Sequence, residues 1–162
     1  MTELQAGSPG APIPLPTRKQ GAAPGFPDGI RQATPPHPEA AAVAGALAEI
    51  RDKVDRANIT GLLLASRDGL LLASDTREIE DDSVAAMAAA AVGLATRFVG
   101  QAGLGEARGA MFQGSLGHVC VFPVQGSVLL VLFARPDTTM GLFNVVAKQA
   151  LTLLQNALTT AN

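Results

Sequence analysis

Tryptophan and tyrosine are absent from these 162 residues, and cysteine occurs once, at Cys120. A single thiol excludes an intramolecular disulfide framework and any zinc site built on several thiolates. Two histidines, one cysteine and isolated carboxylates supply no positioned pair of nucleophile and base, so no catalytic residue is assigned. An excess of one charge is missing too: 12 Lys+Arg against 14 Asp+Glu leave a net charge of −2. Nucleic acid and anionic membrane both want a basic patch, so neither is expected as a partner. The longest strongly apolar run, Val128–Ala134, is far short of the ~20 residues that a spanning helix needs. The opening MTELQAGSPG has neither the basic region nor the apolar core of a signal peptide. There is no Gly at position 2 for myristoylation and no C-terminal Cys for prenylation. A cytoplasmic protein without direct membrane insertion is the expectation.

What is present is sharply partitioned. Nine of the 11 prolines fall within residues 1–38, among almost no bulky apolar side chains. Such a segment buries too little surface to offset its ordering entropy, so 1–38 reads as a disordered, proline-rich tail and 39–162 as the folded domain. Pro9 and Pro12 make one PxxP spacing, a pattern that aromatic grooves bind and that proline-rich tails also produce by chance. From Glu39 the pattern turns helical. Val43, Leu47, Ile50, Val54 and Ala57 share one face, and the helix is expected to end near Asn58.

Next comes ITGLLLASRDGLLLASDT, residues 59–76, around which the chain is organised. Two apolar runs, Ile59–Ser66 and Leu70–Ser74, flank Arg67-Asp68-Gly69. A three-residue connection ending in Gly suits a hairpin whose last loop residue is left-handed. Three further strands are expected at Glu106–Gln113, Leu116–Val124 and Ser127–Ala134, with Gly114-Ser115 and Gln125-Gly126 as turns. The last is apolar without alternation and suits a central strand, while the first is polar and glycine-interrupted and suits an edge. Pro136-Asp137-Thr138-Thr139 should cap a final helix bearing Leu142, Phe143, Val146, Ala150, Leu153, Leu154 and Leu158 on one face.

Between hairpin and meander lies a helix expected over 82–101. Its large residues, Val84, Met87, Val92, Leu94, Phe98 and Val99, fill one arc. The opposite arc is Ala85, Ala86, Ala89, Ala90, Gly93 and Thr96, with Arg97 as its charge. A helix apolar on one side and small on the other reads as buried on both, with a second helix or a partner against the small face. The competing reading is a solvent face rich in alanine for its helix propensity. The acidic run Glu78-Ile79-Glu80-Asp81-Asp82 ahead of this helix suits N-terminal capping better than a metal. Gly103-Leu104-Gly105 follows a helix and precedes a strand, the reverse of a phosphate loop, so it is a helix stop. His118 and Cys120 alternate on one strand, roughly 7 Å apart, too far for a catalytic pair. Neither cofactor nor metal is expected.

The resulting order, tail then α-β-β-α-β-β-β-α, resembles the roadblock family (dynein light-chain roadblock type, including bacterial MglB-like proteins) over about Ala42–Leu158. The carrying residues are Ile59-Thr60-Gly61, Ser66-Arg67-Asp68-Gly69-Leu70 with Ala73-Ser74, Ala85-Ala86-Met87, Val121–Val124, and Arg135-Pro136-Asp137 through Gly141-Leu142. The pattern is most similar to small actinobacterial, conservon-type roadblock proteins encoded beside a Ras-like GTPase and a sensor kinase. The proline-rich tail lies outside it. The resemblance implies an α+β sandwich of roadblock/profilin-like type. Its five-stranded antiparallel sheet carries the second helix on one face and the first and last on the other. It further implies a non-enzymatic homodimer joined through the second helices and the strands that follow them, acting on a Ras-like small GTPase, with a sensor-kinase complex at the membrane as a further partner. The expected interface is Ala85, Ala86, Ala89, Ala90, Gly93 and Arg97 of the helix with Ala107, Arg108, Gly109, Ala110 and Met111 of the strand. Competing readings are a scaffold that leaves nucleotide turnover unchanged, and a small-molecule sensor, for which no convergent polar pocket is evident.

Overall fold

Two central strands buried on both faces organise the molecule. The computed structural model describes residues 31–32, 40–54 and 58–160. Strand β1 is Arg31–Gln32, helix α1 Ala40–Lys53, β2 Ile59–Ser66, β3 Leu71–Asp75 and α2 Asp81–Gln101. Strands β4 (Ala110–Gly114), β5 (Gly117–Pro123) and β6 (Val128–Ala134) follow, and then α3 (Met140–Thr160). All pairings are antiparallel, in the order β1-β3-β2-β6-β5-β4. The β2–β3 hairpin sits at one side, α2 crosses a face of the sheet, and β4-β5-β6 return as a meander until β6 pairs with β2.

Successive side chains of a strand point to opposite faces. Leu62, Leu64, Val128, Leu130 and Leu132 therefore join Val43, Leu47, Ile50, Phe143, Val146 and Leu154 in one core, under α1 and α3. Leu63, Ala65, Leu129 and Val131 point the other way, toward Ala85, Ala88 and Val92 of α2. Covered on both faces, β2 and β6 need apolar residues at every position, which is why Ser127–Ala134 does not alternate. The expected five-strand, three-helix order and the division of helices between the faces are those observed.

Gly69 has φ +84°, and its N–H donates to the Ser66 carbonyl at 3.0 Å. The Ser66 N–H donates to the Leu70 carbonyl at 2.8 Å, and Ser66 Oγ accepts from the Leu70 N–H at 3.1 Å. The Arg-Asp-Gly connection is thus the glycine-closed turn expected. At the end of α2, Gly103 has φ +69°, its N–H reaches the Gly100 carbonyl, and Leu104 N–H reaches that of Val99. This paired arrangement closes a helix on a left-handed residue and explains Gly103 without any nucleotide. Thr139 caps α3, accepting from the Leu142 N–H at 3.3 Å.

Three expectations need correction. Helix α1 ends at Lys53, not near Asn58; Ala57, expected on its apolar face, lies outside the described residues. The strand expected from Glu106 begins only at Ala110. Of the tail, Arg31–Gln32 form a strand on β3, and the rest of 1–38 lies outside the described residues.

Candidate interaction site

The sheet side of α2 is made of small residues. Ala85 is fully buried, Ala88 and Val92 nearly so, and each rests on large strand residues such as Leu63, Leu129 and Val131. With bulk supplied by the sheet, only small helix residues let the two backbones close up. At the hairpin tip a Cβ on Gly69 would lie 3.2 Å from Ala86 Cα and 3.7 Å from Ala89 Cβ, so the turn abuts the first half of the helix. The sheet-facing side of α2 falls between the two expected arcs, taking Ala85 from the small one, Val92 from the large one and Ala88 from neither. Ala85 faces its own sheet and Ala89 packs beside it, whereas Met87, Leu94 and Phe98 stand 61%, 65% and 75% exposed. Ala86, Ala90, Gly93 and Arg97 lie on the open side, and nothing comes within 4 Å of a Cβ built at Gly93.

The open side of α2 continues into the β4 edge. A groove of about 410 Å³ lies between them, lined by Val84, Met87, Ala90, Ala91 and Leu94 of the helix and by Phe112, Val119, Val121, Val131 and Phe133 of the sheet. Its walls are almost wholly apolar, and Phe112 is half exposed. Sequence reasoning missed Met87, Leu94 and Phe98 as surface residues, because a helical wheel records which residues share a face and not which face meets the core. Of the expected strand residues, Ala110 and Met111 belong to β4 and are half-buried. Ala107, Arg108 and Gly109 precede it, with Arg108 exposed. A Cβ at Gly109 would meet the Val121 carbonyl oxygen at 2.8 Å, so a glycine is required for the chain to enter the sheet there. Among the described residues β4 pairs only with β5, and its outer side is free.

Helix α2 is also long and apolar enough by composition to cross a membrane, with mean hydropathy 1.5 and only 17% of that stretch buried within the chain. The run escapes notice when only strongly apolar residues are counted, because alanine carries most of it. Its packing on the sheet of its own domain accounts for one arc of this helix; the remaining arc is apolar surface.

The other candidates are structural. Asp81 is 5% exposed and accepts from Ser74 Oγ at 2.6 Å and from Thr76 Oγ1, joining the start of α2 to the end of β3. Glu80, at the cap position, makes no side-chain capping bond, so the acidic run acts mainly through Asp81 as an acceptor. Among the described residues no group of three or more His, Cys, Asp or Glu could hold a metal. His118 Nε2 lies 3.1 Å from the Pro136 carbonyl oxygen; an acceptor there makes Nε2 the protonated nitrogen. Cys120 points into the α1/α3 core, where burial pushes its thiol up to about 11. A thiol held neutral in this way is a small apolar side chain, not a nucleophile.

A family model described as the Roadblock/LC7 domain matches residues 46–134, more than half of the chain. Two uncharacterized proteins of Methanocaldococcus jannaschii are each 30% identical over 93 residues, covering 57% of this chain and 81% of theirs. Among solved structures, MglB of Myxococcus xanthus superposes with a TM-score of 0.65 at 19% identity, over 76% of this chain and 92% of that one. A Roadblock/LC7 domain from Streptomyces avermitilis gives a TM-score of 0.59 at 16% identity, covering 70% and 92%. A gliding protein, MglB, from Thermus thermophilus gives 0.61 at 20% identity, covering 82% and 96%.

Proposed function

This chain belongs to the Roadblock/LC7 domain family, and from that premise we propose that it is a non-enzymatic, homodimeric regulator of a Ras-like small GTPase in bacterial signalling. The observation that carries the reading is the continuous apolar surface of α2 and β4. Met87, Leu94, Phe98 and Phe112 are each half exposed or more, beside an uncharged edge strand, Ala-Met-Phe-Gln-Gly. Exposed apolar patches of this kind mark interaction sites, and an open uncharged edge invites strand pairing. A second copy related by a two-fold axis would answer both needs at once, pairing β4 with β4 and α2 with α2. The joined second helices then form a platform on which the GTPase docks. The proposed interface keeps Ala90, Gly93 and Arg97 with Ala110 and Met111, drops Ala85, which the sheet buries, and adds Met87, Leu94 and Phe98.

Leu94→Arg tests the reading. Leu94 is exposed within one chain, so the variant should keep a native far-UV circular dichroism spectrum. At a dimer centre the unpaired guanidinium would cost about 3 kcal/mol, weakening association by over ~100-fold. Sedimentation at micromolar concentration should show a dimer for the unchanged chain and a monomer for the variant. Hydrolysis or release of nucleotide by the cognate Ras-like protein should change with the unchanged chain and not with the variant. Binding with no change in turnover would leave a scaffold. A dimer that survives Leu94→Arg would overturn the interface.

A further inference from the structure

The two edges of the sheet are built differently. Strand β4 carries neither proline nor charge, and no described strand pairs with its outer side. At the opposite edge β3 is not outermost, because Arg31 pairs with Ser74 and Gln32 with Ala73. This β1 comes from outside the hairpin and meander, joined to them through α1. It is two residues long, carries the charge of Arg31, and lies in a stretch of sequence containing Pro27, Pro35, Pro36 and Pro38. Short length, charge and proline are the devices by which natural sheets blunt an edge. Inward, β1 pairs; outward, it is a poor template.

We propose that the N-terminal segment is an assembly stop: β1 occupies the β3 edge in cis and confines strand-to-strand association of this chain to β4. Uncovered, β3 would offer the five residues Leu-Leu-Ala-Ser-Asp, three of them apolar, to any extended chain. Neighbouring residues of an antiparallel strand turn their N–H and C=O to opposite sides, so one of Ala73 and Ser74 serves β2 and the other faces β1. A subunit with one free edge closes into a pair, whereas one with two free edges can add subunits without limit. That β4 makes the pair rests on the function proposed above; that β1 covers β3 does not.

The test uses the full chain carrying Arg31→Pro and Gln32→Pro together. Proline cannot donate to a ladder, so the pair removes the N–H groups of both β1 residues. Hydrogen exchange should accelerate by at least ~10-fold at whichever of Ala73 and Ser74 faces β1, while far-UV circular dichroism stays native. In sedimentation the average mass of the variant should rise with concentration above that of the unchanged chain. A synthetic peptide of residues 26–37, added in excess, should bring it back. Faster exchange without a rise in mass would overturn the assembly stop, and unchanged exchange would overturn the pairing itself. An unchanged chain that sediments as a monomer would refute the homodimer reading, but a rise in the variant's mass would still report on the β3 edge.

Discussion

Replacing Gly69 probes the hairpin and its contact with α2 in a single position. Two separate effects oppose any other residue there. With φ at +84°, a residue with a Cβ is strained, by about 1 kcal/mol for Ala and more for a β-branched side chain. The added Cβ would also sit 3.2 Å from Ala86 Cα, a backbone atom that moves only if the helix moves. Overpacking of that kind costs roughly 1–3 kcal/mol. Gly69→Val should therefore destabilise by roughly 3 kcal/mol and Gly69→Ala by roughly 2. Asn tolerates the left-handed region but still carries the Cβ, so Gly69→Asn should fall between Gly and Ala. In urea, with a slope near ~1.5 kcal/mol/M for a domain of this size, the Val variant should lose about 2 M in its unfolding midpoint. Protein concentration must be held constant, since the stability of an oligomer depends on it. A Val midpoint within ~0.5 M of the unchanged chain would refute both the strain and the contact. Equal losses for Asn, Ala and Val would leave the contact and refute the strain.

Asp81→Ala removes the acceptor of Ser74 Oγ, a hydroxyl on a fully buried residue, and should cost about 1–3 kcal/mol in the same melt; a neutral result would mean that the hydroxyl finds another acceptor. Cys120, its thiol pushed up from 9.0 to about 11, should react with maleimide at pH 8 only as fast as the domain opens, and prompt stoichiometric labelling would show it to be accessible. Between pH 9.0 and about 11 the unfolded thiol ionises while the folded one keeps its proton, so the native state binds more protons and stability should fall as pH rises. Its contribution is at most ~1.4 kcal/mol per pH unit, and Cys120→Ala should flatten that decline in pH-dependent melts; an identical slope would assign the decline to other groups.

The sequence by itself determined the three helices and five of the strands, their order and the turn chemistry. Gly69 at the end of a three-residue loop, Gly103 after a helix and Thr139 before one each have a local cause: a backbone angle or an orphan N–H. Such causes act over a few residues and can be read from them. The double burial of β6 was legible for a similar reason, since a strand covered on both faces cannot alternate. Tertiary structure decided what depends on a partner element. Helix α2 offers an arc of alanines and an arc of large residues, either of which could meet the sheet. The sheet took neither arc whole: Ala85, Ala88 and Val92, along the seam between the two, rest on Leu63, Leu129 and Val131. That left Met87, Leu94 and Phe98 facing outward, where the proposed interface lies. The two residues Arg31 and Gln32 are too few to show a period, and their strand exists only because β3 leaves an edge for them to join.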